Sequence, residues 1–306
     1  MGPHPAGYEC HKHDGGGLRI AEQLINVNGV RLCTESFGEP EDPPILLVMG
    51  LGGSMLWWQE GFCRLLARPG RFVVRYDQRD TGRSTTYEPG RPSYTARDLL
   101  TDAVALLDRY GIGAAHLVGV SAGGGLVQLL ALDFPDRVLS LVLISTSPAV
   151  PRARNLPPPS AALTEFVRSA TVDWQNVDSV TEYLVSYERV LAGEERPFEE
   201  AEVRDLVLRD IGRARDVAAL QNHDLLDSGD IPHKPLSSID ASTLVIHGTA
   251  DPMFPLPHGR ALVAEIPGAR LLALECAGHG VWRKDWETIA QAIATRTECD
   301  LARPSV

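Results

Sequence analysis

Lysine is almost absent from this chain: Lys12, Lys234 and Lys284 are the only three among 29 basic residues, and the rest are arginine. Forty acidic residues outweigh them, for a formal net charge of −11. A chain of this sign lacks the basic surface that a general binder of nucleic acid or of anionic membranes needs. The arginine bias points to GC-rich coding and carries no mechanism. Long apolar runs are missing too. None approaches the ~18 residues of a membrane-spanning helix, so no membrane partner is expected. The opening stretch, MGPHPAGYECHKHDGGGLRI, holds no apolar core of a secretory signal. Cysteine is scarce, and the five thiols (Cys10, Cys33, Cys63, Cys276, Cys299) are odd in number, widely spaced and free of any C-x-x-C pair. That argues against a disulfide framework or structural zinc, and for a reducing, cytoplasmic setting. Cys10, His11 and His13 have no second ligand pair nearby, so residues 1–23 read as a flexible tail rather than a metal site.

What is present is an ordinary globular core: 306 residues, 44% of them hydrophobic, enough to bury a large interior. Leu24 to Asn28, Gly29, and Val30 to Ser36 read as two strands about an Asn-Gly turn. Ile45 to Met49, Phe72 to Tyr76, Ala115 to Val120 and Leu139 to Ile144 are apolar runs suited to strands buried on both faces. Between them, Thr95 to Tyr110 and the stretch from Ser121 to Pro135 have helical spacing. Alternation of this kind predicts an α/β fold, a mostly parallel sheet with helices on both faces. It stops at a proline cluster (Pro148, Pro151, Pro157, Pro158, Pro159). Helix-like stretches follow at Ala161 to Ser169, Ser179 to Ala192 and Phe198 to Asp227. Strands resume at Thr243 to His247 and Leu271 to Leu274. The expected organisation is therefore a core of residues 24–147 and 241–306, interrupted by a helical cap over residues 148–240. A cap inserted after a strand's C-terminal end would overlie the crevice where such sheets bind ligands.

Gly119-Val120-Ser121-Ala122-Gly123 is a G-x-S-x-G placed between a strand and a helix, the context that a nucleophile elbow requires. A serine nucleophile needs a base, and the base needs an orienting acid. Asp251 lies in the loop after the Thr243 strand and His279 in the loop after the Leu271 strand. Both are thus on the same sheet edge as Ser121. His116, His223, His233, His247 and His258 compete for the base, and Asp80, Asp224 and Glu275 for the acid, but none shares that strand-then-loop position as fully. The backbone N–H of Ala122, and that of Leu51 in the glycine-rich loop Gly50 to Gly53, are the expected oxyanion donors. That loop lacks the Gly-Lys-Ser/Thr ending of a phosphate-binding loop. For the acyl pocket the aromatic and polar candidates are Trp57, Trp58 and Trp282 from the core, and Trp174, Tyr183, Tyr187 and His223 from the cap.

These residues resemble the α/β-hydrolase superfamily from about Ile25 to about Thr297. The stretches Leu46 to Gly50, Arg75 to Thr86 and His247 to Gly259 resemble, within it, the aclacinomycin (anthracycline) methylesterases. One departure is shared with them: Met49-Gly50 stands where many relatives have His-Gly. The resemblance implies a Ser121, Asp251, His279 triad with Leu51 and Ala122 at the oxyanion positions. It implies no metal and no cofactor, and a hydrophobic small-molecule ester as the partner, a polyketide methyl ester in the leading case. Lactone hydrolysis, C–C hydrolysis, acyl cyclisation and perhydrolysis would use the same residues, and a non-catalytic small-molecule receptor could keep them. A nucleophilic aspartate is excluded by Ser121, and nothing in the chain forbids a homodimer.

Overall fold

The computed structural model describes residues 10–11, 19–150, 155–227, 229 and 234–301. Much of the expected tail, including His13, lies outside them, as does His233. In chain order the first elements are β1 (Cys10–His11), β2 (Arg19–Val27), β3 (Val30–Phe37), β4 (Pro44–Val48), α1 (Glu60–Ala67) and β5 (Phe72–Tyr76). Next come α2 (Ala96–Arg109), β6 (Ala115–Val120), α3 (Ala122–Asp133) and β7 (Val138–Ile144), then α4 (Ala161–Ser169), α5 (Val177–Ala192) and α6 (Glu200–Arg213). The chain closes with β8 (Ser242–Gly248), α7 (Pro257–Glu265), β9 (Arg270–Leu274) and α8 (Trp286–Leu301).

The strands form one nine-stranded sheet in the order β1-β2-β3-β5-β4-β6-β7-β8-β9. The pairs from β1 to β5 across β2 and β3 are antiparallel, and every pair from β5 and β4 onward is parallel. Strand side chains alternate between two cores. Leu46, Val74, Leu117, Leu143 and Val245 pack with α2, α3 and α7 on one face. Ile45, Leu47, Val73, Val118 and Ile144 pack with α1 and α8 on the other. Burial on both faces is why these strands read as continuous apolar runs rather than alternating ones.

Local chemistry fixes the element ends. Asn28 and Gly29, at φ 45° and 79°, make the two-residue turn between β2 and β3. Thr95 and Asp98 cap α2 reciprocally: the Thr95 N–H donates to the Asp98 carboxylate (2.8 Å) and the Asp98 N–H to the Thr95 hydroxyl (3.4 Å). Two expectations need correction. The tail does not run through residue 23, because Arg19–Gln23 extend β2 against Thr34–Phe37. The stretch Phe198 to Asp227 is not one helix. α6 ends at Arg213, and the Arg215 N–H leaves it for the Gly82 carbonyl (2.9 Å). A 3₁₀ segment, Val217–Leu225, then starts at an Asp216 side-chain cap. Tertiary hydrogen bonding to the core overrides helical continuity there.

β4 and β6 are neighbours, yet β4 leads through α1 to one side of the sheet and β6 through α3 to the other. This reversal is a topological switch point, where open α/β sheets leave a crevice at the strands' C-terminal ends. The loop after β4 holds Gly50 to Gly53, and the turn after β6 holds Ser121.

Candidate active site

Ser121 sits at φ 54°, ψ −124°, in a region that a residue with a Cβ enters only under strain. The elbow survives because its glycines let backbones touch. A Cβ on Gly119 would meet the Gly123 carbonyl oxygen at 2.4 Å, and one on Gly123 would meet the Val48 carbonyl oxygen at 2.3 Å. Fixed this way, Ser121 is lifted to the start of α3 and lines a cavity of about 350 Å³. The Ser121 N–H donates to Ile144 (2.9 Å), and Thr146 Oγ1 donates to the Ser121 carbonyl (2.6 Å). Its hydroxyl donates to Met253 Sδ at 3.9 Å.

His279 lines the same cavity. Its Nδ1 lies 2.9 Å from Asp251 Oδ2 and 3.1 Å from Oδ1. Asp251 Oδ1 also accepts the N–H groups of Met253 (2.9 Å) and Phe254 (2.8 Å). Burial opposes the charge on Asp251, but the His279 imidazole and these hydrogen bonds outweigh it and hold the carboxyl below the usual carboxylate range. An ionised Asp251 can only accept, so Nδ1 of His279 carries a proton, and in the neutral imidazole Nε2 is then the basic nitrogen. The His279 loop is held at several points: its N–H donates to Leu191 (2.8 Å), its carbonyl accepts from Trp282 Nε1 (2.9 Å), and the Gly280 N–H donates to Ser145 Oγ (3.1 Å). His247 stands behind Asp251, 3.6 Å from Oδ2, with its Nε2 donating to the Phe254 carbonyl (2.6 Å).

The glycine loop after β4 abuts the serine: a Cβ on Gly50 would lie 3.1 Å from Ser121 Cβ. Leu51 follows in that loop, and its N–H donates to no acceptor among the described residues. Ala122 is the first residue of α3, where a helix has no internal partner for its N–H. The two donors therefore lie on opposite sides of the switch point, beside Ser121.

Of the expected pocket residues, Trp57, Trp282, Tyr183 and Tyr187 line the cavity. Three do not. Trp58 is 0% exposed and stacks on Phe62 in the core beneath α1. Trp174 lies behind Tyr183, edge-on at 5.8 Å, and leaves the wall to that ring. His223 is buried behind the glycine loop. Its Nδ1 accepts the Gly52 N–H (2.9 Å), so Nε2 is the atom that donates to the Arg79 carbonyl (2.7 Å). Burial pushes its pKa down, which suits this neutral tautomer. Met253, Phe198, Leu220 and Glu188 also line the cavity and were not among the expected pocket residues. Only Met253 had a signal in the sequence, its place two residues past Asp251.

Three comparisons accord with this geometry. The family model described as the alpha/beta hydrolase fold matches residues 43–281. Rhodomycin D methylesterase DauP from Streptomyces sp. is 33% identical over 290 residues, covering 90% of this chain and 97% of that protein. A putative carbamate hydrolase, RutD, of Caulobacter vibrioides is 30% identical over 266 residues, covering 83% and 90%. Among solved structures, the enol-lactonase from Burkholderia xenovorans LB400 superposes with a TM-score of 0.66 at 25% identity, covering 90% of this chain and 100% of that one. The resemblance carried by the motifs around Gly50, Asp77 and Asp251 is thus borne out over nearly the whole length, and the chain belongs to the α/β-hydrolase fold family.

Proposed function

We propose that this protein is a serine hydrolase of carboxylic esters, acting on the methyl ester of a hydrophobic, polyketide-like small molecule. One observation carries the chemistry: an ionised Asp251 orients His279 in the cavity that the strained Ser121 elbow faces. In the proposed cycle His279 Nε2 takes the Ser121 proton as the hydroxyl attacks the ester carbonyl. The N–H groups of Leu51 and Ala122 receive the developing oxyanion, each donor lowering the barrier by about 3 kcal/mol. The carbonyl re-forms, His279 passes its proton to the leaving methoxide, and methanol departs. Water then loses a proton to His279, attacks the acyl-serine, and the acid is released with Ser121 reprotonated. A phosphoryl substrate is disfavoured, because its spread charge calls for arginine, lysine or magnesium at the reacting end. The methyl ester is supported by the 33% identity to a rhodomycin D methylesterase and by a wall that includes Trp57, Tyr183, Leu184, Tyr187, Phe198 and Trp282.

This reading takes α4 to α6 as a cap that selects substrates, and places the protein in the cytoplasm, where the free thiols Cys33, Cys63 and Cys276 stay reduced. Among the described residues no helix is long and apolar enough to cross a membrane. A homodimer is the assembly to test, by light scattering. The deciding experiment compares kcat/KM for an aromatic polyketide methyl ester, its macrolactone counterpart and p-nitrophenyl butyrate, with methanol followed by mass spectrometry. Methanol release well above the other two rates supports the proposal. Faster lactone opening would keep the chemistry and replace the substrate. Tight binding without any turnover would make the protein a receptor.

A further inference from the structure

One wall of the cavity is a single face of α5: Tyr183, Leu184, Tyr187, Glu188, Leu191 and Ala192. Five of the six are apolar or aromatic, and Glu188 is the one carboxylate, in the middle of the face. It has no hydrogen-bond or ion-pair partner among the described residues. Some of the other charged groups that line the cavity are engaged. Asp210 accepts from Trp57 Nε1 (2.9 Å), Glu202 pairs with Arg283, and Arg196 binds Asp285 (2.7 Å). Glu188 is part-buried, and a carboxyl held partly out of water without a partner costs folding free energy, so such groups are kept where a ligand completes them. Its place relative to the chemistry is fixed. Leu191, three residues further along α5, accepts the His279 N–H at 2.8 Å, so Glu188 stands about one helical turn, ~5 Å, from the residue that anchors His279.

We propose that Glu188 binds a protonated amine carried by the substrate, on the cavity wall beside His279. This deepens the esterase reading and rests on it for the word substrate. A cation satisfies a part-buried carboxylate better than a neutral hydroxyl does, because it cancels the charge as well as donating N–H groups to the lone pairs. The rings of Tyr183 and Tyr187, parallel within 1° and 6.4 Å apart, offer π-faces that attract the same cation. Burial pushes the Glu188 carboxyl up to about 8. An incoming ammonium therefore draws the proton off Glu188 into solvent as the pair forms. Asp80, Glu199, Glu202, Asp210, Asp216 and Asp224, which line the same cavity from other segments, reinforce the negative field, whereas Arg196, Arg283, Lys284 and His279 oppose it.

The test uses a matched pair: an aromatic methyl ester bearing a primary amine, and its N-acetyl derivative. Turnover is read as kcat/KM on the esters, and binding as Kd by calorimetry on the corresponding N-methyl amides. The wild-type protein is expected to prefer the amine by about tenfold or more in both readouts, with a proton released on binding near neutral pH. Glu188→Gln is expected to bring the ratio to within about threefold, and Glu188→Asp to keep part of it. Because the ratio is internal to each protein, a loss of folded material does not imitate the result. Equal handling of amine and N-acetyl compounds by the wild type, or an unchanged ratio in Glu188→Gln and Glu188→Leu, overturns the proposal. Hydrolysis of both esters without preference sinks the amine site and spares the esterase reading. An amine preference in Kd with no ester hydrolysed does the reverse.

Discussion

At the scale of single residues, the site depends on a serine held where serine is not comfortable. The positive φ of Ser121 is a cost that the Gly119 and Gly123 contacts impose and the surrounding β4 and β6 backbones sustain. Removing the hydroxyl leaves that backbone unchanged, so Ser121→Ala is expected to lower kcat by about 10⁴- to 10⁶-fold with thermal melting within a degree or two of wild type. Retention of a tenth of the activity would take the role from Ser121. In the proposed triad, Asp251→Asn replaces an acceptor by a group that can donate to Nδ1, which turns the imidazole to the tautomer that cannot take the serine proton. A loss of about 10⁴-fold is expected. His279→Ala combined with Ser121→Ala is expected to be no worse than either alone, since the residues act as a unit. Additive losses in single-turnover assays would mean that they act separately.

At the scale of elements, the insert reaches into the machinery of the core at one defined point. The 3₁₀ segment Val217–Leu225 delivers His223 behind the glycine loop, where its Nδ1 holds the Gly52 N–H, one residue from Leu51. His223 is thus a positioning residue for the proposed oxyanion donor. His223→Ala forfeits a buried hydrogen bond worth about 1 to 2 kcal/mol. The expected outcome is a fall in kcat of about tenfold with little change in KM, because the loop's tilt matters in the transition state more than in the ground state. The asymmetric readout separates this role from simple packing: a matching rise in KM alone would place His223 in substrate binding instead. The pH profile adds a second check. Burial holds the imidazole neutral, and protonating Nδ1 in acid would remove the acceptor for Gly52. Acid loss of kcat should therefore be shallower in His223→Gln than in wild type.

At the scale of the whole molecule, buried ions tie the insert to the sheet and buried histidines set the acid limit. Arg213 at the end of α6 binds Asp77 Oδ2 (2.7 Å) and Glu22 Oε1 (2.7 Å), with all three side chains largely out of solvent. Burial pushes the Asp77 carboxyl up to about 6 in spite of that guanidinium. Arg213→Met leaves the Asp77 carboxylate without its counter-charge and is expected to cost about 3 to 5 kcal/mol, read as a drop in the urea midpoint. A change below 1 kcal/mol would show that the insert does not depend on this link. His116 is 1% exposed, hydrogen-bonded through Nδ1 to Ser140 (2.7 Å), and burial pushes its pKa from 6.5 down to about 4. Its folded value is depressed, so in the window between these two values the unfolded chain binds a proton that the folded chain refuses. Stability is then lost as pH falls through that window, by at most about 3 kcal/mol from this residue. His223 and His247 are shifted the same way. Replacing His116 by Asn should flatten the plot of unfolding free energy against pH by about one proton over that range, and an unchanged slope would reject the assignment.

The sequence by itself determined the main strands and the interruption of their alternation by a helical insert, the elbow, and the pairing of Asp251 with His279. These are encoded locally. Apolar runs and capping residues specify their elements within a few residues, and three loops following three parallel strands must emerge on one edge of the sheet. The bounds of β5 and β6 and of helix α4 follow directly from such runs. Pocket walls are not encoded this way. Trp57 and Trp58 are adjacent and chemically alike, yet a single turn sends Trp57 to the cavity and Trp58 into the core against Phe62. His223 looked like a pocket residue and became a strut, because its neighbours 171 positions earlier in the chain present an N–H to it. Glu188 carried no signal at all, since a glutamate on an amphipathic helix normally faces water. Only the packing of α5 against the His279 loop turns it inward. Which side of an element meets the cavity depends on contacts between segments far apart in the chain, and those contacts exist only once the insert and the sheet have come together.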